Sequence, residues 1–170
     1  MNINKLPIKI CRAEEKDWPQ IIDIYNQAIL EKGKTADTEL LTVEERKGWL
    51  SLHLDNSHPI LIAVLNKEII GWCSLSPHRP GRKALERTLE ISYYIDKNSR
   101  GKGVGTLLFN SAIDFAKKND TKNLFAILLD VNTISVNILE KFGFQKWGHL
   151  PEVAEIDGKI CGQLIYGKHI

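Results

Sequence analysis

Residues Ser99-Arg100-Gly101-Lys102-Gly103-Val104-Gly105-Thr106 join a strand-like run, Leu89 to Ile95, to a helix-like run that continues to Ala116. Three glycines alternate through the junction. Glycine has no Cβ, so a ligand can approach the backbone closely, and N–H groups at the mouth of a helix can point outward without obstruction. A helix N-terminus carries roughly half a unit of positive charge, and Arg100 and Lys102 add two full charges beside it. The junction reads as a pocket for a polyanion such as a diphosphate. Two familiar phosphate loops are excluded by spelling. A Walker loop requires lysine before the Ser/Thr, whereas Gly105 is followed directly by Thr106; the dinucleotide fingerprint requires Gly-x-Gly-x-x-Gly, whereas these glycines are spaced two and two. On these residues alone, a glycine-rich turn with incidental basic neighbours is an equal reading.

Moving outward, strand and helix signals alternate. Ile8 to Arg12 alternates as a first strand. Asp17 is placed to cap a helix with Trp18, Ile21, Ile22, Tyr25 and Ile29 on its apolar face and Gly33 at its end. Thr42-Val43-Glu44-Glu45 spells a capping box for a second helix reaching His53 and presenting Trp49 and Leu50. Pro59 to Leu65 and Glu68 to Ser76 flank Asn66-Lys67 as a hairpin. After a polar loop, Pro77 to Arg87, a strand over Thr88 to Ile95 feeds the glycine junction. The helix beyond it is predicted to bury Val104, Leu107, Leu108, Ala112, Phe115 and Ala116. The continuous apolar run Leu124 to Val131 predicts a strand covered on both sides. A last helix, Thr133 to Lys141, is capped by Asn132 and stopped by Gly143, and Phe144 to Glu155 and Lys159 to Tyr166 flank an Asp157-Gly158 turn. The predicted order is β-α-α-β-β-β-α-β-α-β-β. That order specifies one mixed α/β (α+β) domain over residues 1–170, with helices on both faces of a single, mostly antiparallel sheet.

Composition narrows the function. With 43% hydrophobic and 26% charged residues and no apolar run near the ~20 residues of a span, the sequence predicts a globular protein with no membrane partner. Met1 to Lys5 lacks the apolar core of a secretory signal. Three widely spaced cysteines, Cys11, Cys73 and Cys161, suit reduced thiols in a cytoplasmic protein better than a zinc site, and no metal is expected. A net charge of +2 argues against a nucleic-acid partner.

The spelling Arg-x-x-Gly-x-Gly (Arg100, Gly103, Gly105) and the element order resemble the Gcn5-related N-acetyltransferase (GNAT) superfamily. Ile24-Tyr25-Asn26, Gly71-Trp72, Arg87-Thr88-Leu89-Glu90, Tyr94-Ile95, Asn132-x-x-Ser135 and Gly143-Phe144 resemble its phosphinothricin acetyltransferase-like group. The resemblance spans nearly the whole chain. It implies acetyl-CoA as cosubstrate, with the diphosphate at Arg100, Gly101, Lys102, Gly103, Val104 and Gly105. Backbone groups of Tyr93, Tyr94 and Ile95 would pair with the pantetheine arm where the fourth and fifth strands diverge at a bulge. Asn132 and Ser135 would also meet that arm, although Asn132 suits a plain helix N-cap as well. A homodimer is implied too.

Acetyl transfer requires a neutral amine, yet an alkyl amine with pKa near ~10.4 is almost wholly protonated at pH 7. Glu90 interrupts an apolar strand and matches the group's catalytic glutamate, so it is the candidate base, directly or through a water; a glutamate on a solvated strand face is the alternative. Where many relatives carry a tyrosine or histidine acid in the last helix, this chain has Leu139, leaving Tyr94, Ser135 or solvent to protonate the departing thiolate. For the acceptor, Arg79, Arg82, Lys83 and Arg87 cluster before Glu90, with Leu85 among them, and an arginine could clamp a carboxylate; a solvated loop with Glu86 as partner fits equally. The expected substrate is a small amino acid-like amine resembling phosphinothricin or methionine sulfoximine. Polyamines, aminoglycosides, a protein N-terminus, or a non-catalytic acyl-CoA sensor are the competing readings. Trp72, Trp147 and Phe144 are expected in the core or a pocket wall.

Overall fold

The computed structural model describes residues 7–170, so the reading over Met1 to Lys5 lies outside the described residues. The elements follow the predicted order: β1 (Lys9–Arg12), α1 (Trp18–Leu30), α2 (Val43–Leu52), β2 (Ile60–Leu65), β3 (Glu68–Pro77), β4 (Thr88–Ile95), α3 (Val104–Lys118), β5 (Asn123–Leu129), α4 (Thr133–Lys141), β6 (Gln145–Ile156) and β7 (Lys159–His169). They build one seven-stranded sheet in the order β1-β2-β3-β4-β5-β7-β6. Among the described residues only the central β4–β5 pair is parallel. The last strand is thus inserted between β5 and β6.

Alternation along β4 divides the interior. Leu89, Ile91, Tyr93 and Ile95 face the larger core, built around α3 with Leu108, Phe109 and Ala112. Tyr94 joins the smaller core on the other face, formed by Ile21 and Ile24 of α1, Leu50 of α2 and Trp72 of β3. Phe109, fully buried, stacks on Phe142 at 4.6 Å and meets Tyr93 edge-on at 4.7 Å. Burying such a side chain stabilises the fold by ~1.5–3 kcal/mol.

Four local expectations change. Asp17 occupies the N-cap position of α1 but makes no side-chain cap bond to it: its carboxylate accepts the Glu14 N–H at 2.8 Å and closes a 3-10 turn, Glu15–Asp17, that leads into the helix. α1 stops at Leu30, before Gly33, and the chain reverses through Lys32 and Gly33, both in the left-handed region. On α3 the buried stripe is Val104, Leu108, Phe109, Ala112, Ile113 and Ala116, while Leu107 is 39% exposed. The stripe faces the sheet one position round from the predicted one. β5 is not covered on both sides, since Ile127 is 38% exposed beside a groove described below. The α2 capping box forms as spelled, with Thr42 N–H donating to Glu45 Oε2 at 2.7 Å and Glu45 N–H to Thr42 Oγ1 at 3.2 Å.

Candidate active site

β4 and β5 pair over only three positions, Thr88 with Asn123, Leu89 with Leu124 and Glu90 with Phe125, and then separate. The strands part where pairing ends and not at a bulge; register shifts lie instead in the β2–β3 and β6–β7 pairs. The phase of the β3–β4 ladder fixes which peptide groups face the gap. His78 N–H donates to the Thr88 carbonyl at 3.1 Å and Asp96 N–H to the Ile70 carbonyl at 3.0 Å. Alternate residues, Tyr94 included, therefore bond to β3. Tyr93 and Ile95 present their backbone N–H and C=O to the gap, and the expectation for Tyr94's peptide is corrected. Peptide groups left this way seek a partner.

The gap opens into a cavity of about 350 Å³ between α3 and α4. Gly103, left-handed at φ +82°, is the N-cap of α3, and Gly101 is left-handed at φ +74°. The first-turn N–H groups of Val104, Gly105 and Thr106 have no intrahelical acceptor. A Cβ built on Gly101, Gly103 or Gly105 would meet nothing within 4 Å, so the loop leaves a backbone cradle. Two predicted phosphate ligands are otherwise engaged. Arg100 forms a fork to Glu31 at 2.9 and 2.5 Å and donates Nε–H to the Ile95 carbonyl at 3.3 Å; Lys102 Nζ donates to the Asn98 carbonyl at 2.8 Å and does not line the cavity. Across the gap, Asn132 is buried and accepts the Ser135 N–H at 3.3 Å, while the Tyr93 hydroxyl donates to Ser135 Oγ at 3.2 Å. Ile134, Ile138 and Phe142 supply an apolar wall. The bare glycine loop at the mouth of α3, the free strand amides and the apolar wall fit the diphosphate and arm of acetyl-CoA.

A second groove, about 310 Å³, lies on the α1–α2 face of the sheet. Glu90 and Ser92 line it from β4 and Gln163 from β7. Its aromatic wall is Tyr25, Trp49, Trp72 and Tyr94, with Tyr25 edge-on to Tyr94 at 4.8 Å and Trp72 tilted on Tyr94 at 4.9 Å. The Tyr25 hydroxyl bonds Thr35 Oγ1 at 2.6 Å and donates to Asp37, which also holds Arg46 Nη2 at 2.6 Å. Glu90 is half-buried and its carboxylate makes no hydrogen bond or ion pair with the described residues. Burial pushes its carboxyl above the usual carboxylate range, and does the same to the phenols of Tyr93 and Tyr94. Tyr94 and Lys34 line both cavities, so the groove and the gap meet there.

Residues 18–144 match the acetyltransferase (GNAT) family. The chain belongs to that family. Among GNAT relatives, YwnH of Bacillus subtilis (strain 168), which carries a provisional phosphinothricin acetyltransferase name, is 38% identical over 93% of this chain and 96% of its own. The phosphinothricin N-acetyltransferase of Streptomyces coelicolor is 31% identical over 89% and 90%. In fold, the chain superposes with a TM-score of 0.88 on the Sinorhizobium meliloti GNAT phosphinothricin acetyltransferase in complex with AcCoA, at 20% identity and covering 96% of this chain and 88% of that one. The chain is accordingly an N-acetyltransferase.

Within this GNAT fold the sequence-predicted residues separate. Tyr93, Tyr94, Ile95, Arg100, Gly101, Gly103, Val104, Gly105, Asn132 and Ser135 come together at the first cavity. Arg82 and Lys83 are exposed and Leu85 is half-buried on a 3-10 turn, and none of the three lines either cavity. Arg87 pairs with Asp120 at 2.8 Å, not with Glu86. Leu139 is 1% exposed within the larger core, so its side chain points away from the gap. Phe144 is core and Trp72 is groove wall, but Trp147 is 43% exposed on β6. Sequence reasoning missed Lys34, Thr35, Arg46 and Gln163. Among the groove residues, Glu90 carried a signal as a carboxylate interrupting an apolar strand, and Tyr25 and Trp49 only as helix faces.

Proposed function

We propose that this enzyme moves an acetyl group from acetyl-CoA to the primary amine of a small amino acid-like molecule of the phosphinothricin kind, with Glu90 as general base. The observation that carries this reading is Glu90 itself: a half-buried carboxylate without a protein partner, in a groove that joins the cofactor cavity at Tyr94. The names of the two relatives support the acceptor class.

Acetyl-CoA, when bound, supplies a thioester carbonyl as the electrophile. The chain's residues do the rest. First-turn N–H groups of α3 hold the diphosphate. The peptide groups of Tyr93 and the N–H of Ile95, whose carbonyl is taken by Arg100, pair with the arm as an added strand would. Glu90 takes the proton from the incoming ammonium, directly or through a water, and its raised pKa makes it a stronger base, narrowing the gap to the amine it must deprotonate. No acid is needed from position 139, because a thiol of pKa near ~8.5 leaves readily as the anion. The Ser135 hydroxyl, which accepts from Tyr93 and lines the cavity, retains its own O–H to donate.

Two cations, Lys34 and Arg46, line the groove, which disfavours polyamines and aminoglycosides. A cytoplasmic location agrees with three free cysteines. A homodimer agrees with exposed Trp147, Leu150, Val153 and Ile160 on the β6–β7 hairpin. The test is a thiol-release assay over an amine panel with wild type and Glu90→Gln. The variant should lose at least about 100-fold in kcat, within the range for general bases, while calorimetry shows unchanged CoA affinity. Retained turnover would remove Glu90 from the role.

A further inference from the structure

Among the described residues, Lys34 is the one besides Tyr94 that lines both the cofactor cavity and the acceptor groove. It is placed there by the backbone. After α1 the chain turns through Lys32 and Gly33 at φ +55° and +73°. A Cβ on Gly33 would come within 3.1 Å of Val131 Cγ2. Glycine therefore lets the segment close against the end of β5 and lay its next residue over the meeting point of the two spaces.

The carboxylates nearest Lys34 are each engaged by another cation, which leaves Lys34 without a direct ion pair. Arg46, the other cation on its lining, is held by Asp37 at 2.6 Å. Glu31, the acidic neighbour in the same segment, is held by Arg100 at 2.5 Å. The Lys34 ammonium forms no hydrogen bond or ion pair with the described residues. Glu90 occupies the groove as a base, so the reacting amine must sit between it and the gap. In an α-amino acid the carboxylate is separated from the amine nitrogen by a single carbon, so whatever reads that carboxylate must lie close to the same meeting point. Arg82 and Lys83, exposed on their turn, do not line it.

We infer that Lys34 binds the α-carboxylate of the acceptor and so makes the enzyme prefer amino acids over the corresponding simple amines. The inference rests on the functional reading above and adds the residue that enforces it. The experiment compares wild type, Lys34→Gln and Lys34→Arg on phosphinothricin, or whichever amino acid of the panel turns over best, and on the amine lacking only its carboxylate. Calorimetry of each protein with CoA runs alongside.

A hydrogen bond to a charged group is worth ~1.5–3 kcal/mol. Lys34→Gln should therefore lower kcat/KM for the amino acid by about 10- to 100-fold, chiefly through KM. The simple amine should change by less than about threefold, CoA affinity should hold, and Lys34→Arg should restore much of the preference. Equal losses on both substrates would overturn the assignment. So would weakened CoA binding with the preference intact, which would make Lys34 a cofactor ligand. A wild type that acetylates amines but no amino acid would instead remove the functional reading, and this assignment with it.

Discussion

Replacing Gly105 with alanine should make the free protein more stable and its cofactor binding worse. Gly105 is the second residue of α3 and has no left-handed φ, and a Cβ there meets nothing within 4 Å. Neither conformation nor packing in the free chain calls for glycine. Glycine within a helix costs roughly 0.5–1 kcal/mol relative to alanine. For a domain of this size, ~1 kcal/mol moves Tm by ~2–4 °C, so Gly105→Ala should raise Tm by about 1–4 °C. The methyl group would occupy the space in which a phosphate oxygen reaches the first-turn amides. Losing one charge-assisted hydrogen bond of ~1.5–3 kcal/mol weakens CoA by about 10- to 100-fold. Gly103→Ala is the contrast, because its left-handed φ of +82° penalises any side chain by ~1–2 kcal/mol. That variant should lose about 2–8 °C as well as affinity. Thermal scans and calorimetry with CoA read both quantities. A Gly105→Ala protein that binds CoA as tightly as wild type would refute the cradle.

Other perturbations probe the neighbouring groups. Glu90 has a raised folded pKa, so the native state holds its proton more tightly than the unfolded chain, and stability falls as pH rises through the window above 4.5. Glu90→Gln should consequently melt higher than wild type at pH 7.5, with the gap closing toward pH 4. His53 is buried, donates Nδ1–H to the His58 carbonyl at 2.7 Å, and has its pKa pushed below 6.5 by burial. The native state favours neutral imidazole, so wild-type Tm should fall as pH drops below 6.5, and the fall should be shallower in His53→Asn. The Glu31–Arg100 pair is partly exposed and worth ~0–1 kcal/mol, so Glu31→Gln should free Arg100 and tighten CoA by up to about fivefold. Weaker binding in that variant would show that Glu31 orients the arginine for its ligand.

The glycine junction was legible because its requirements are local: backbone that must lie bare at a helix mouth admits few residues. Helix and strand order was legible for a similar reason, since caps, hairpin turns and apolar period act within a few residues. The α3 stripe was displaced because Leu107 and Phe109 are both apolar, and only the sheet beneath decides that Phe109 turns inward. β5 misled for a functional reason. An apolar run looks the same whether a helix covers it or an open groove does, and Ile127 faces the groove. The acceptor groove was the least visible. It draws Tyr25, Lys34, Arg46 and Trp49 from two helices and the loop between them, and Gln163 from a strand more than a hundred residues later, and none has a spacing that announces the others. The basic run at Arg79 to Arg87 had the stronger local signal, yet it lies on an exposed turn.

Because β7 lies between β5 and β6, the half of the sheet beyond the gap is assembled from a strand made after both of its neighbours. During synthesis β5 emerges from the ribosome about thirty residues before its partner, with Leu124 and Ala126 unsheltered and one edge unpaired until Lys159–His169 arrives. Stalled or truncated products lacking that strand should be the aggregating species in the cell, even though every helix and the whole glycine loop have already been translated.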